Sequence, residues 1–270
     1  MKFVSKTPRE GINVSDELPL IEAGTLIIGL SAIFAVIAIA SFFIIDVALM
    51  FISTEREARI FSSWIPDDLV AVGADDVRLA DTRGLLKRLV QHWSDSPYTF
   101  RIEASKSEIP NAMAFPGGLI VVTTGLLDRV ETENELAFVL GHELGHFRNR
   151  DHIRQLGRGL VLVMLVEALS SNKAGSGLGF GIADLTIRGF SRRQETSADG
   201  FGLEILHAEY GHIGEAWRFF ERLESENQGD FIMLKYYSTH PVAGDRIENL
   251  KNHAIERGWA LEGPTIPLQW

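Results

Sequence analysis

The chain contains no cysteine, which excludes a disulfide-stapled scaffold and any metal site built on thiolates, and leaves either side of a membrane open to it. It is also short of positive charge. Against 36 Asp and Glu there are 26 Lys and Arg, for a formal net charge of −10, and no basic stretch is interleaved with aromatics, so nucleic acid is not expected as a partner. Internal repeats are lacking, and low complexity is confined to Lys173–Gly181. The glycines of Ala174–Gly181 do not fit Gly-x-Gly-x-x-Gly spacing and follow a helix rather than a strand, so they offer no nucleotide site. A flexible loop is the plain reading, and a lid is the alternative.

Long apolar runs are lacking too, with one exception. From Ala23 to Ile45 no residue is charged, and as a helix this run measures about 34 Å, slightly more than a hydrocarbon core of about 30 Å. Glu22 and Asp46 bracket it. The polar stretch ahead of the run, and the apolar residues Phe42–Ile45 that continue past Ala38-Ile39-Ala40, argue against a cleaved signal peptide. An uncleaved anchor is the expectation. Lys2, Lys6 and Arg9 before the span nearly balance Arg56 and Arg59 after it, so positive charge decides little about orientation.

Beyond the anchor, Val47–Trp64 is expected to leave the membrane as a helix, and Leu85, Leu86, Leu89, Val90 and Trp93 mark an amphipathic helix. Tyr98–Glu103, Ala112–Phe115 and the β-branched run Ile120–Thr124 read as strands, the last two joined by a tight turn at Pro116-Gly117-Gly118. Helices are predicted over Glu133–Arg148, Ser191–Leu206, Gly214–Glu226 and Ala243–Arg257. The fold class is therefore α+β, mostly helical with a small sheet. Leu160–Leu169 is apolar enough to touch lipid, but it is broken by Glu167 and too short to span a bilayer.

The chemistry sits in two segments. Residues 142–146 read His-Glu-Leu-Gly-His, and on a helix positions i and i+4 share a face, so His142 and His146 can address one ion while Glu143 reaches a water upon it. Thr132 to Glu135 has the form of a capping box ahead of an apolar stripe of Leu136, Val139, Leu140, Leu144 and Phe147. A catalytic zinc needs a third protein ligand and an open position. Glu195, in a second helical stretch, is the natural candidate, and Asp199 one turn on can accept the outer N–H of a ligating histidine and fix its tautomer.

These motifs resemble a known family. His-Glu-Leu-Gly-His followed by Glu-x-x-x-Asp resembles the gluzincin metallopeptidases. NAMAFPGGLIVVTTGLL (Asn111–Leu127), ENELAFVLGHELGHFRNRDH (Glu133–His152) and STHPVAGDRIENL (Ser238–Leu250) resemble the family of HtpX, the Ste-type CAAX prenyl proteases and the Oma- and BepA-like proteases, over about Tyr98–Leu250. The resemblance implies one Zn²⁺ per chain held by His142, His146 and Glu195, with Glu143 as general base and Asp199 behind a ligand. It implies an edge strand at Asn111, Ala112, Met113 and Ala114 that pairs with substrate backbone. It also puts His240 at the metal, as an oxyanion donor or as a fourth ligand that holds the enzyme latent. Arg246 would assist at the substrate or pair with a carboxylate. Tyr236 and Tyr237 are weaker donor candidates, and His152 is read as structural or exposed.

The domain plan that follows is a tail over 1–22, an anchor and membrane-exit helix over 23–52, a helical linker over 53–97, a zinc peptidase domain over 98–258 and a tail over 259–270. The function expected is a zinc endopeptidase acting on misfolded or membrane-associated proteins. The alternative is a zinc-binding chaperone or assembly factor for envelope proteins. Its partners would be protein or peptide substrates and the membrane, in no determinable oligomeric state. The expected location is a bacterial inner membrane, with a single pass and the catalytic domain outside the cytoplasm.

Overall fold

The computed structural model describes residues 19–62, 76–169, 189–226, 239–240 and 245–270. The N-terminal tail to residue 18, the glycine-rich stretch 174–181, Tyr236 and Tyr237 lie outside them. A helix α1 (Pro19–Phe51) contains the apolar run. It is long and apolar enough to cross a membrane, and its large side chains face outward, with Leu26 74% and Ile39 69% exposed. The helix expected to continue from Val47 instead ends at Phe51 and restarts as α2 (Thr54–Ile60). Ser53 causes the restart, because its side chain accepts from the Arg56 N–H and satisfies one of the donors a new helix leaves unpaired.

Three strands form one small sheet: β1 (Arg101–Ser105), β2 (Ala112–Phe115) and β3 (Leu119–Thr123). The order is β1-β3-β2, with β1 parallel and β2 antiparallel to β3. The central strand is the β-branched one, buried at every position. The turn into it needs glycine. Gly117 and Gly118 have φ of +85° and +82°, and a Cβ on Gly117 would lie 2.1 Å from the Phe61 carbonyl oxygen. Ala112, Ala114, Ile120 and Val122 face the main core, while Phe115, Leu119 and Val121 form a smaller cluster on the other face with Met113 packed against it.

Around the sheet lie α3 (Val77–Val90), a short α4 (Thr124–Leu127), α5 (Glu133–Arg148), α6 (Asp151–Leu169), α7 (Arg192–Tyr210), α8 (Arg218–Glu226) and α9 (Arg246–Glu256). Helix α5 starts as its sequence demands, with the Thr132 hydroxyl accepting from the Glu135 N–H. Glu135 reaches back to the Glu131 N–H rather than to Thr132, so the reciprocal half of the box is displaced by one residue. Helix α6 runs antiparallel to the end of α1, with Arg154 and Arg158 both reaching Asp46.

Two segments placed outside the catalytic domain by the sequence share its core. Leu79, Leu85, Leu86 and Leu89 of α3 pack with Leu136, Leu140 and Leu144 of α5 and Leu203 and Leu206 of α7. The leucine stripe of α3 buries one face of that helix, which a linker would leave wet. After Gly258 the chain docks as well. Trp259, Leu261, Leu268 and Trp270 lie against the core, and the Glu133 N–H donates to the Ile266 carbonyl at 2.8 Å.

Helices α5 and α7 pack closely against each other. A Cβ on Gly145 would stand 2.7 Å from Ala198 Cα, so the fourth residue of the His-Glu-Leu-Gly-His run must be this small. The apolar stripe of α5 supports the approach from below. Truncating Leu140 or Leu144, both fully buried, would cost about 2–5 kcal/mol. The polar faces of the two helices are thereby pressed together.

Candidate metal centre

His142, His146, Glu195 and His240 are all buried, and each offers a ligand atom within 4.8 Å of the others. Helix α5 supplies the histidine pair one turn apart, α7 supplies Glu195, and the segment 239–240 supplies His240. Burying four such groups together is unfavourable unless each polar atom has a partner.

The outer nitrogens have theirs. His142 Nδ1 donates to Asp199 at 2.8 Å, His146 Nδ1 to Asp151 at 3.1 Å, and His240 Nε2 to the carbonyl of Ala112 at 3.2 Å. In the neutral rings that a metal ion requires, each of these bonds keeps the proton on the outer nitrogen and turns the other nitrogen, with its lone pair, inward. His142 Nε2 lies 3.1 Å from His146 Nε2 and 3.3 Å from His240 Nδ1. Glu195 Oε1 lies 3.4 Å from His146 Nε2 and 3.3 Å from His240 Nδ1. Nitrogen and oxygen ligands at about 2.0–2.1 Å from a tetrahedral ion stand about 3.3–3.4 Å apart along its edges. The donor set therefore fits a four-coordinate divalent cation. Glu195 Oε2 is a buried oxygen with no hydrogen-bond partner among the described residues, and it lies 3.5 Å from His142 Nε2 and 3.9 Å from Arg246 Nη2.

The charges agree. Although burial opposes it, His240 and His142 hold the Glu195 carboxyl well below its usual range. Burial also opposes ionisation of Asp199, and Arg246 with His142 outweighs it to lower that carboxyl. Burial pushes His142 toward the neutral form. Against the same burial, Asp151 and Glu195 raise His146 to about 10. The carboxylates thus favour positive charge in the middle of the cluster, whether carried by a proton or by a metal ion.

Glu143 is 1% exposed. Its Oε1 lies 3.8 Å from His240 Nε2, and its Oε2 has no hydrogen-bond partner among the described residues. Beside it runs β2. The Thr123 N–H donates to the Asn111 carbonyl, so by antiparallel alternation Met113 and Phe115 turn their backbone groups to β3 and those of Ala112 and Ala114 face the edge that has no strand partner among the described residues. Ala112 and Ala114 of the predicted strand are therefore the residues able to pair with an incoming chain, and His240 presently occupies the Ala112 carbonyl. Asn111 itself is tied to Thr123 through its N–H at 2.8 Å.

Of the two roles offered for Arg246, the pairing with a carboxylate is the one its contacts make. Its guanidinium grips Asp199 through Nε at 2.9 Å and Nη2 at 2.6 Å and lies over the Phe220 ring. The buried Asp199 carboxylate holds it beside His142, with Nη2 3.9 Å from Glu195 Oε2. The sequence reading missed Asp151, the acceptor for His146. The one available signal was an acidic residue five positions beyond the second histidine, and nothing local says that the chain folds back there. It does so at Arg150, whose φ is +57°.

A model of the family described as Peptidase family M48 matches residues 80–254. Among characterised proteins, the mitochondrial metalloendopeptidase OMA1 of Schizosaccharomyces pombe is 27% identical over 169 residues, covering 62% of this chain and 50% of that protein. A putative beta-barrel assembly-enhancing protease of Vibrio cholerae is 29% identical over 182 residues, 62% of this chain and 37% of that protein. Metalloprotease LoiP of Escherichia coli is 28% identical over 173 residues, 60% of this chain and 65% of that protein. The chain thus spans about half the length of the first of these relatives.

Proposed function

Because this chain belongs to peptidase family M48, a family of metalloproteases, we propose that it is a membrane-anchored zinc endopeptidase in which His142, His146 and Glu195 hold the ion in the gluzincin manner. The observation that carries the reading is the convergence of inward lone pairs on one point, each backed by an outer hydrogen bond. When bound, zinc acidifies a water and polarises the scissile carbonyl.

The chain's own residues supply the rest. The free edge at Ala112 and Ala114 aligns an extended substrate by backbone pairing, leaving side-chain choice loose. The Glu143 carboxylate takes a proton from the attacking water and returns it to the leaving nitrogen. Its Oε2, without a hydrogen-bond partner among the described residues, is available for this. Asp199, itself clamped by Arg246, and Asp151 hold the two helix histidines in one tautomer. His240 closes the site in the arrangement seen, with Nδ1 among the ligand atoms and Nε2 on Ala112. A substrate strand must displace it from that carbonyl, after which its N–H is free to serve a developing oxyanion.

Helix α1 makes the anchor, and we place the protein in a bacterial inner membrane with its catalytic domain outside the cytoplasm. Misfolded or membrane-associated proteins are the substrates this placement and the named relatives support. The test is Glu143→Gln in the full chain. Zinc content and melting point should stay at wild-type values, while cleavage of an unfolded protein such as casein falls by about 10²–10⁴-fold. Wild-type-like cleavage by the variant would refute this mechanism. An equally inert wild type that holds zinc and clients would instead favour a chaperone.

A further inference from the structure

A second buried polar cluster lies between the exit of α1 and the metal centre, and no motif announces it. Its hub is Glu57 of α2, 1% exposed. Glu57 Oε1 accepts from the Tyr98 hydroxyl at 2.9 Å and from His152 Nε2 at 2.6 Å, and Oε2 accepts from Arg150 Nε at 2.9 Å. Arg150 extends the tie toward the membrane, its Nη1 donating to the carbonyls of Leu49 and Ile52 at 2.8 Å each. Those carbonyls end α1, where helical partners run out.

The other side of the cluster is the metal centre itself. Between Arg150 and His152 stands Asp151, which accepts from His146 Nδ1 and, on its other oxygen, from Gln194, the neighbour of Glu195. His152 Nδ1 lies 3.4 Å from the His146 carbonyl oxygen. One three-residue turn, held in an unusual left-handed conformation at Arg150, therefore faces Glu57 with its first and third residues and the ligand His146 with its second. A carboxylate buried this fully is costly without partners, and its side-chain partners among the described residues lie on the turn or on Tyr98.

We infer that Glu57 is a positioning residue for the metal centre: it locks the membrane-exit segment to the turn that orients His146, so that the anchor is part of the active-site scaffold and not a passive tether. The inference rests on the metal-centre reading above for its effect on the ion, but the linkage itself is independent of it.

Two measurements on the full chain in detergent separate these levels. Zinc release into excess chelator should speed up by about 10-fold in Glu57→Gln, the loss typical of residues that orient a ligand, and by less in Tyr98→Phe, which removes one bond from the hub and guards against a misfolded first variant. Glu209→Gln is the control. Its carboxylate holds Arg88 and His92 at the end of α7 remote from Glu195, about 21 Å along the helix, and should leave release unchanged even where it lowers the melting point. Hydrogen exchange in metal-free protein reads the linkage directly. The amides of Asn149, Arg150 and Arg154, bonded to Gly145, Phe147 and Arg150, should exchange about 10-fold faster in Glu57→Gln and not in Glu209→Gln. Unchanged exchange there overturns the inference, as does equal zinc release in the two Gln variants. A wild type that binds no zinc but shows the exchange difference refutes the metal-centre reading alone.

Discussion

Asp151 accepts a hydrogen bond from His146 Nδ1 at 3.1 Å across the break between α5 and α6. Asp199 does the same for His142 from α7. Each of the two α5 histidines thus has its own carboxylate, and neither carboxylate neighbours its histidine in sequence. Asp151→Asn and Asp199→Asn should each weaken zinc binding by about 10–100-fold, measured by competition with a chromophoric chelator. An affinity unchanged in either variant would remove that residue from the site's support.

His240 is held at both ends, by the ligand cluster and by the Ala112 carbonyl. Its removal should open the metal and the strand edge together. His240→Ala is expected to retain zinc and to cleave an unfolded protein severalfold faster than wild type. A fall in kcat of about 10²–10³ with KM unchanged would mean that its work as an oxyanion donor outweighs its role in closing the site.

Helix α1 should keep the protein in the membrane fraction through high salt and carbonate, with release by detergent. The absence of native cysteine makes orientation measurable, since a single cysteine placed at Glu262 reports alone. In intact cells it should react with a membrane-impermeant maleimide. Protection until the cells are opened would reverse the proposed orientation.

Glu57 also carries a pH signature. Burial opposes its ionisation, yet His152, Arg150 and Tyr98 bring its pKa below the usual glutamate range. A carboxylate with a depressed folded pKa contributes stability that is complete above its unfolded value and is lost as the pH falls through the folded one. The melting temperature in detergent should therefore drop as pH falls below about 4.5. That acid slope should be shallower in Glu57→Gln, which lacks the group. Identical slopes would assign acid unfolding to other carboxylates.

Much of the centre was legible because helical periodicity is a local rule. The i,i+4 spacing puts His142 and His146 on one face whatever surrounds them, and the span from Glu133 to Arg148 follows from its cap and its stripe. The turn at Gly117-Gly118 and the strand at Ala112–Phe115 were legible for the same reason. Arg246 was not, because the choice between substrate and carboxylate depends on which face of α9 meets α7. Nor was the share of the core taken by α3 and by the segment after Gly258, since a leucine stripe states that a face is buried and not against what.

The sequence by itself determined the residue types, the helical spacing of the histidines and of Glu195 with Asp199, and the apolar run of α1, all of which depend on neighbours within a few positions. Tertiary structure alone decided that Asp151 rather than a more distant acid serves His146, that His240 stands between the ligands and Ala112, and that Glu57 joins the exit of α1 to the same centre. Those contacts link residues brought together by a left-handed turn at Arg150 and by the close approach at Gly145. Their geometry is set by packing across the whole domain, which no local pattern encodes.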